Sequence, residues 1–482
     1  MSKYLYGAAV QGIQNFIFNT SELRHIVGAS ELVEQVCTSA FDEFATNGES
    51  VVRAAGNIKF IFDSEEDCRK AVREFPKKVM TMAPGITISQ AVVLYDNDFG
   101  KAIDQIEALL KIQRNKPQRS VISGLLGMKR ANNTGLPVVK IAGKEDYKDE
   151  PTVQKECYVD TEGLCKKSFG ISPIPKSAVA KNINGITEKN DWIAIIHADG
   201  NGLGKVVQKV GKNKDIFRCF SQELDVATKE AAQLAYRSIE SKFIDKKVIP
   251  IRPVVLSGDD MTVIIRGDLA IAYTDAFIKA FEEKTQEHLG GILRQESIFA
   301  DGKDFLTACA GIAFIKSSYP FYYGYQLAEE LCGYAKKDTK AIHGADSNHL
   351  PPSCLLFHKV QDSFIISYED IIKRELTAKD GLSFKAGPYY VIPQEGKNSV
   401  NDLTESSKLL NSENGDGIKS GIRNWISLRL ENKSKADQRK GRMLQIFSKT
   451  EAVERLTSET DKRCMAFDVL AYNTIMNQQT KE

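Results

Sequence analysis

Two adjacent aspartates, Asp259 and Asp260, stand where chemistry is easiest to build. Two apolar, β-branched runs within residues 250–265 flank the turn Ser257-Gly258-Asp259-Asp260. That pattern predicts a hairpin with both carboxylates at its tip. Gly258 supplies the backbone freedom such a turn needs. Neighbouring carboxylates repel each other, and a divalent cation removes the penalty. Hard oxygen ligands on a rigid hairpin suit Mg²⁺ (or Mn²⁺), which takes one or two carboxylates plus substrate phosphates. The same residues also read as a solvated, Asp-rich turn. A second station lies upstream, where an apolar strand over 192–198 runs into Asp199 and a loop carrying Gly200, Asn201, Gly202, Gly204 and Lys205. Glycine N–H groups in such a loop can face phosphate oxygens. The spacing is neither a Walker loop nor G-x-G-x-x-G. Asp199 and the Asp259–Asp260 pair are expected on neighbouring central strands. Three carboxylates at one sheet edge could hold two cations for nucleotidyl transfer.

The elements that must position them form a repeated order. Residues 4–10 read as a strand, 11–20 as a loop with Phe16 and Phe18, and Ser21 as the cap of a helix to about 45. A hairpin over 50–63 turns at Gly56. A helix over 65–80, a strand over 85–95 and a helix over 99–113 follow. That is β-α-β-β-α-β plus one helix, a ferredoxin-like arrangement. Residues 191–340 repeat it: strand 192–198, helix 221–244, hairpin 249–266, helix 269–288, strand 305–316, helix 321–337. The copies differ where chemistry would sit. Opposite Ser257-Gly258-Asp259-Asp260 the first copy has Ala55-Gly56-Asn57-Ile58, and its first strand ends Val10-Gln11-Gly12 without a carboxylate. The first copy is therefore expected to be metal-free and non-catalytic, with a second nucleotide as an open possibility.

The fold class is α+β: two such domains, an irregular insert between them and a C-terminal helical domain. The expected boundaries are 1–113, 114–190, 191–350 (with the Ser-Gly-Asp-Asp turn) and 351–482, the last with a short strand near Tyr389. The insert holds a basic stretch (Arg114, Lys116, Arg119, Lys129, Arg130) and a charged run over 144–151. Residues 423–442 are rich in Lys and Arg, either a solvated helix face or a contact for an RNA backbone or acidic partner. The net charge of +2 exerts no strong global pull on nucleic acid or membrane. Nine cysteines in no paired spacing give no zinc motif. They point to reduced thiols in a cytoplasmic protein. The N-terminus lacks a signal-peptide pattern, and no apolar run approaches a membrane span.

These stretches carry a resemblance. Residues 11–18 and 23–32, Asp199 to Lys205, the Ser257–Asp260 turn, and 319–321 with 327–332 and Ala335-Lys336-Lys337 together resemble the large, polymerase-cyclase subunit of type III CRISPR effector complexes. The resemblance spans nearly the whole chain. It implies a palm related to adenylate and diguanylate cyclases, in which acidic residues hold two Mg²⁺ ions and ATP becomes a cyclic oligoadenylate or related messenger in antiviral defence. Carried across, Asp199, Asp259 and Asp260 would be catalytic metal ligands. Lys336 or Lys337 would meet the triphosphate, beside Gly200, Asn201, Gly202, Gly204, Lys205, Ser257 and Gly258. Partners would be ATP and other effector subunits with guide and target RNA.

There are departures from the family pattern. Here the palm opens at residue 4, and none of the six histidines is followed by Asp, so the family's HD nuclease domain is not expected. Cys157 and Cys165 do not complete a four-ligand zinc site. Ser257 replaces a glycine, and Asn201 stands where a second aspartate is common. His197 reads as a packed residue or a general base. Phe16, Phe18, Tyr319, Phe321, Tyr322 and Tyr323 read mostly as core, with one or two for a base pocket. Two functions follow: a metal-dependent cyclase or oligonucleotide synthetase, working alone or in a guided complex, or a catalytically quiet ATP-binding scaffold or nucleotide sensor.

Overall fold

The computed structural model describes residues 3–477 except 21, 55, 117–123, 144, 160–161, 189–190, 244–246, 343–348, 362–366, 412–414 and 448–449. Ser21, Ala55, Arg119 and Lys144, singled out above, lie outside the described residues.

The first palm comprises β1 (Lys3–Gln11), α1 (Ile13–Phe18), α2 (Leu23–Cys37), α3 (Ser39–Asp42), β2 (Gly48–Ala54), β3 (Asn57–Phe62), α4 (Glu65–Met82), β4 (Thr87–Tyr95) and α5 (Phe99–Arg114). Its sheet has the order β2-β3-β1-β4, all antiparallel. Alternation along β1 decides the layers. Tyr6 points to α3, stacking on Phe41 at 5.7 Å. Gly7 points to α5, where a Cβ would come within 2.8 Å of the Ile106 side chain. The expected loop over 11–20 contains α1 instead. Gly12, at φ 69, turns the chain into a helix that buries Phe16, Ile17 and Phe18. Six residues are too few to display a helical period in sequence.

The insert is more ordered than its sequence suggests. It contains β5 (Lys140–Ile141), β6 (Tyr147–Lys148), α6 (Glu150–Cys157) and α7 (Gly163–Phe169). These pieces are held by the first palm. Gly28 of α2 lies against the Lys155 carbonyl. The buried Glu31 carboxylate accepts from Leu164 N at 2.9 Å. Lys155 Nζ donates to Phe16 O at 2.6 Å, closing the end of α1.

The second palm comprises β7 (Trp192–Gly200), α8 (Leu203–Val210), α9 (Lys214–Glu240), β8 (Ile251–Ser257), β9 (Asp260–Arg266), α10 (Ala270–Gln295), β10 (Ala308–Lys316) and α11 (Phe321–Ile342). Its sheet repeats the first in the order β10-β7-β9-β8, with Pro253 on the edge strand β8. Two further strands extend it: β11 (Cys354–Lys359), parallel to β10, and β12 (Tyr389–Tyr390). Residues 354–359 lie beyond the expected boundary at 350, in a stretch over 351–400 whose sequence reads as mixed, and they join this sheet. Their run Cys-Leu-Leu-Phe is apolar on both faces, which suits a parallel strand covered on both sides. Helix α11 crosses from β10 to β11 over the sheet, packing so closely that Gly311 touches the Ala328 carbonyl.

The remainder is helical: α12 (Tyr368–Glu375), α13 (Val400–Leu410), α14 (Gly415–Glu431), α15 (Lys433–Ile446), α16 (Thr450–Leu456) and α17 (Ala466–Met476). Trp425 anchors it, edge-on to Phe384. One hydrophobic core runs through both palms and this region. At the palm interface Phe18 stacks on Tyr325 at 4.2 Å, and Ser30 Oγ donates to Val254 O. Among the described residues no helix is long and apolar enough to cross a membrane.

Candidate active site at the palm interface

The hairpin β8–β9 turns on two residues, Gly258 and Asp259. Gly258 has φ 62, while Asp259 stays at negative φ. Positive φ at the first position alone is the type II′ signature, which only glycine adopts without strain. Thr228 of α9, fully buried, donates to the Gly258 carbonyl at 2.6 Å and fixes the tip from below.

Strand register then gathers the carboxylates. In the β7–β9 ladder His197 faces Thr262 and Ala198 faces Met261, so the next step sets Asp199 beside Asp260. His197, Asp199, Asp260 and Thr262 thus share one face of the sheet. Ligand atoms of His197, Asp199 and Asp260 all lie within 4.8 Å of one another. Asp259 joins from the turn: a Cβ on Gly200 would sit 2.8 Å from Asp259 Oδ2. Gly200 therefore leaves room for a carboxylate.

Helix α11 covers this face with Tyr325, Glu329, Cys332 and Lys336, spaced at helical intervals. Lys336 Nζ pairs with Asp199 Oδ2 and donates to Gly200 O at 2.8 Å. Burial works against its charge, yet the Asp199 carboxylate outweighs that and holds its pKa above the ordinary value. The aspartates feel the opposite balance. Burial, then Asp260 and Asp199, push Asp259 well above the carboxylate range. Burial and then Asp199 push Asp260 up to about 7. Glu329 is raised by burial, Glu330 and Asp199. This is negative charge gathered beyond what one lysine neutralises.

Other predicted residues divide. Ser257 is buried at the hairpin's last strand position. Gly202, at φ 74, caps α8; Gly204 and Lys205 are exposed on its first turn. Asn201 turns into the core, donating from Nδ2 to Thr307 Oγ1 at 3.1 Å. Lys337 is not brought to the carboxylates. One position on from Lys336, it is exposed, and its charge acts on Lys385 instead. His197 accepts the packed reading: burial lowers its pKa to about 4, and Nδ1 lies 3.2 Å from Thr262 Oγ1. A neutral, enclosed imidazole orients neighbours rather than carrying protons at neutral pH.

A cavity of about 340 Å³ opens beside Asp260 between the palms. Its second-palm wall includes His197, Ser257, Thr262 and Tyr325; its first-palm wall includes Ile13, Gln14, Asn15 and Glu34. None of the aromatic residues singled out for base stacking lines it, and Tyr325 does. Tyr325 and Glu329 escaped sequence reasoning, although their spacing from Lys336 places all three on one helix face. The site is suited to holding hard cations and a polyanion, with an enclosed slot beside them.

Residues 192–342 match the family model described as Cas10/Cmr2, second palm domain. No curated protein matches the chain. Among solved structures, the chain is similar to a Csm1–Csm4 cassette in complex with cA4, at 12% identity and TM-score 0.57, covering 98% of this chain and 69% of that one. A Csm1–Csm4 cassette with AMPPNP gives 13% identity and TM-score 0.58, covering 98% and 70%. The Csm1–Csm4 subcomplex of the type III-A CRISPR-Csm interference complex gives 15% and 0.51, again over 98% and 70%. At these identities the likeness is one of fold.

Proposed function

We propose that this chain, Cas10-like through its second palm, is a metal-dependent nucleotidyltransferase that converts ATP to a cyclic or linear oligonucleotide messenger in CRISPR-type antiviral defence. The observation that carries the reading is the carboxylate cluster. Asp199, Asp259 and Asp260 crowd one sheet edge, and two of them are held toward the protonated state. A hard divalent cation reverses that penalty, and an all-oxygen donor set fits Mg²⁺ or Mn²⁺. The three aspartates would hold it. When bound, such ions lower the pKa of an acceptor ribose hydroxyl and neutralise charge developing on the α-phosphate and pyrophosphate.

The chain's own residues supply the rest. Lys336 exchanges its Asp199 contact for a phosphate oxygen. Backbone N–H groups at the start of α8, after Gly202, face the triphosphate. The interpalm cavity takes the nucleoside and limits water around the reacting groups. In-line attack then depends on positioning and charge neutralisation. Solved Csm1–Csm4 structures, described as complexes with AMPPNP and cA4, are consistent with nucleotide and product binding on this fold. A partner subunit of that kind is proposed here as well.

A quiet ATP-binding scaffold is the second reading. The Lys336–Asp199 ion pair favours it, because it satisfies one ligand carboxylate without metal. Purified chain with labelled ATP and Mg²⁺ or Mn²⁺, with and without RNA, separates the two. A new nucleotide species that disappears with Asp259→Ala plus Asp260→Ala supports the enzyme. ATP binding without product under every condition leaves the scaffold.

A further inference from the structure

We propose that the chain forms a two-fold dimer through the outer edge of the first palm's sheet, a surface separate from the palm interface. Strand β4 has no partner on its far side among the described residues. Its sequence, Thr-Ile-Ser-Gln-Ala-Val-Val-Leu-Tyr, carries no charge and no proline. Lysine, proline and bulges are what normally keep such an edge from pairing. At about 3.4 Å per residue the strand offers roughly 30 Å of backbone.

Shelves flank the edge on both faces. Val72, Pro76 and Met80 of α4 and the end of α5 frame a groove of about 290 Å³ over the first half of β4. Met80, which lines that groove, is 44% exposed, and Leu94 of the strand itself 58%.

The occupant follows from register. Pairing β4 antiparallel with a second β4 about Ala91 sets Leu94 opposite Ile88. Residues opposite each other share a face. Leu94 lies on the α4 face, since it pairs across β1 with Tyr4, whose hydroxyl reaches Glu65 at the start of α4. Each exposed Leu94 would therefore enter the other copy's groove against Ile88, Pro76 and Met80, and the exchange is reciprocal. Charge agrees. Exposed Asp96 and Asp98 follow the strand, while exposed Lys116 lines the groove at its start. Antiparallel pairing brings each acidic end to the partner's basic end. A C₂ contact needs this self-complementarity.

Sedimentation of the full chain across micromolar concentrations tests the dimer. The expected mass is twice that of one chain. Leu94→Lys should give a folded monomer whose melting temperature does not depend on protein concentration, whereas that of the native chain should rise with it. Ala91→Cys should give a covalent dimer under mild oxidation, residue 91 facing itself. Thr87→Cys and the native chain, whose exposed thiols are Cys157 and Cys219, should not. A monomer at every concentration overturns the inference. So does a dimer that survives Leu94→Lys and leaves Ala91→Cys unlinked.

Discussion

At the scale of single residues, the decisive fact is where acid groups are made uncomfortable. Asp260 has a folded pKa of about 7, raised by burial and Asp199. Its ordinary value is about 4. Such a group adds stability below the ordinary value and loses it as pH rises through the folded one. Relative to Asp260→Asn, the metal-free chain should therefore lose thermal stability between about pH 4 and 7, and Mn²⁺ should restore it most at the upper end. Melting curves of both chains across that range, with and without Mn²⁺, check this, the comparison cancelling the buried neutral His25, His197 and His358, which act in the opposite sense; a difference that does not change with pH would sink it. Gly200 offers a sharper test. Gly200→Ala places a methyl 2.8 Å from Asp259 Oδ2, so the carboxylate must move. Asp259 Cβ would lie 2.9 Å away as well, so the turn backbone must shift with it: product formation from ATP should fall at least tenfold, with a loss of melting temperature beside it. The glycine-rich strand exit is legible in the sequence, where Gly200 reads as a phosphate contact. Its closeness to Asp259 comes from a turn nearly sixty residues away.

At the scale of elements, the hairpin was legible because the local signals agreed: two β-branched runs and a glycine in the one place that needs positive φ. What holds the turn was not legible. Thr228 sits mid-helix in α9, where its hydroxyl reads as an ordinary buried polar group. Thr228→Val keeps the volume and removes the bond to Gly258 O, leaving that carbonyl short of a partner. We expect a loss of about 1 kcal/mol, measured by denaturant melts, with a larger effect on turnover because Asp259 sits in the turn and Asp260 directly follows it. Helix α11 shows the same limit. Lys336 and Lys337 are equivalent in sequence and 100° apart in space, and only the facing strand selects Lys336. Helix α1 was missed altogether, since three consecutive buried residues carry no period.

At the scale of the whole molecule, two similar units leave a slot between them, and one supplies the acids. The first palm contributes a wall through α1, which Lys155 and the Phe18–Tyr325 stack hold in place. Phe18→Ala should cost about 3 kcal/mol from lost burial. It should also raise the KM for ATP more than it lowers kcat, because it loosens the wall and spares the carboxylates. Equal loss in both parameters would place Phe18 in stability alone. The sequence by itself determined the repeated βαββαβ order and the α+β class, and marked out the three aspartates as candidates, because hydrophobic period and turn chemistry are local. Tertiary structure decided that Asp199 meets Asp260, that Lys336 and not Lys337 faces them, that Asn201 turns inward, and that residues 354–359 extend the palm sheet. Those choices depend on strand register and helix rotation, which arise only when distant segments compete for the same core.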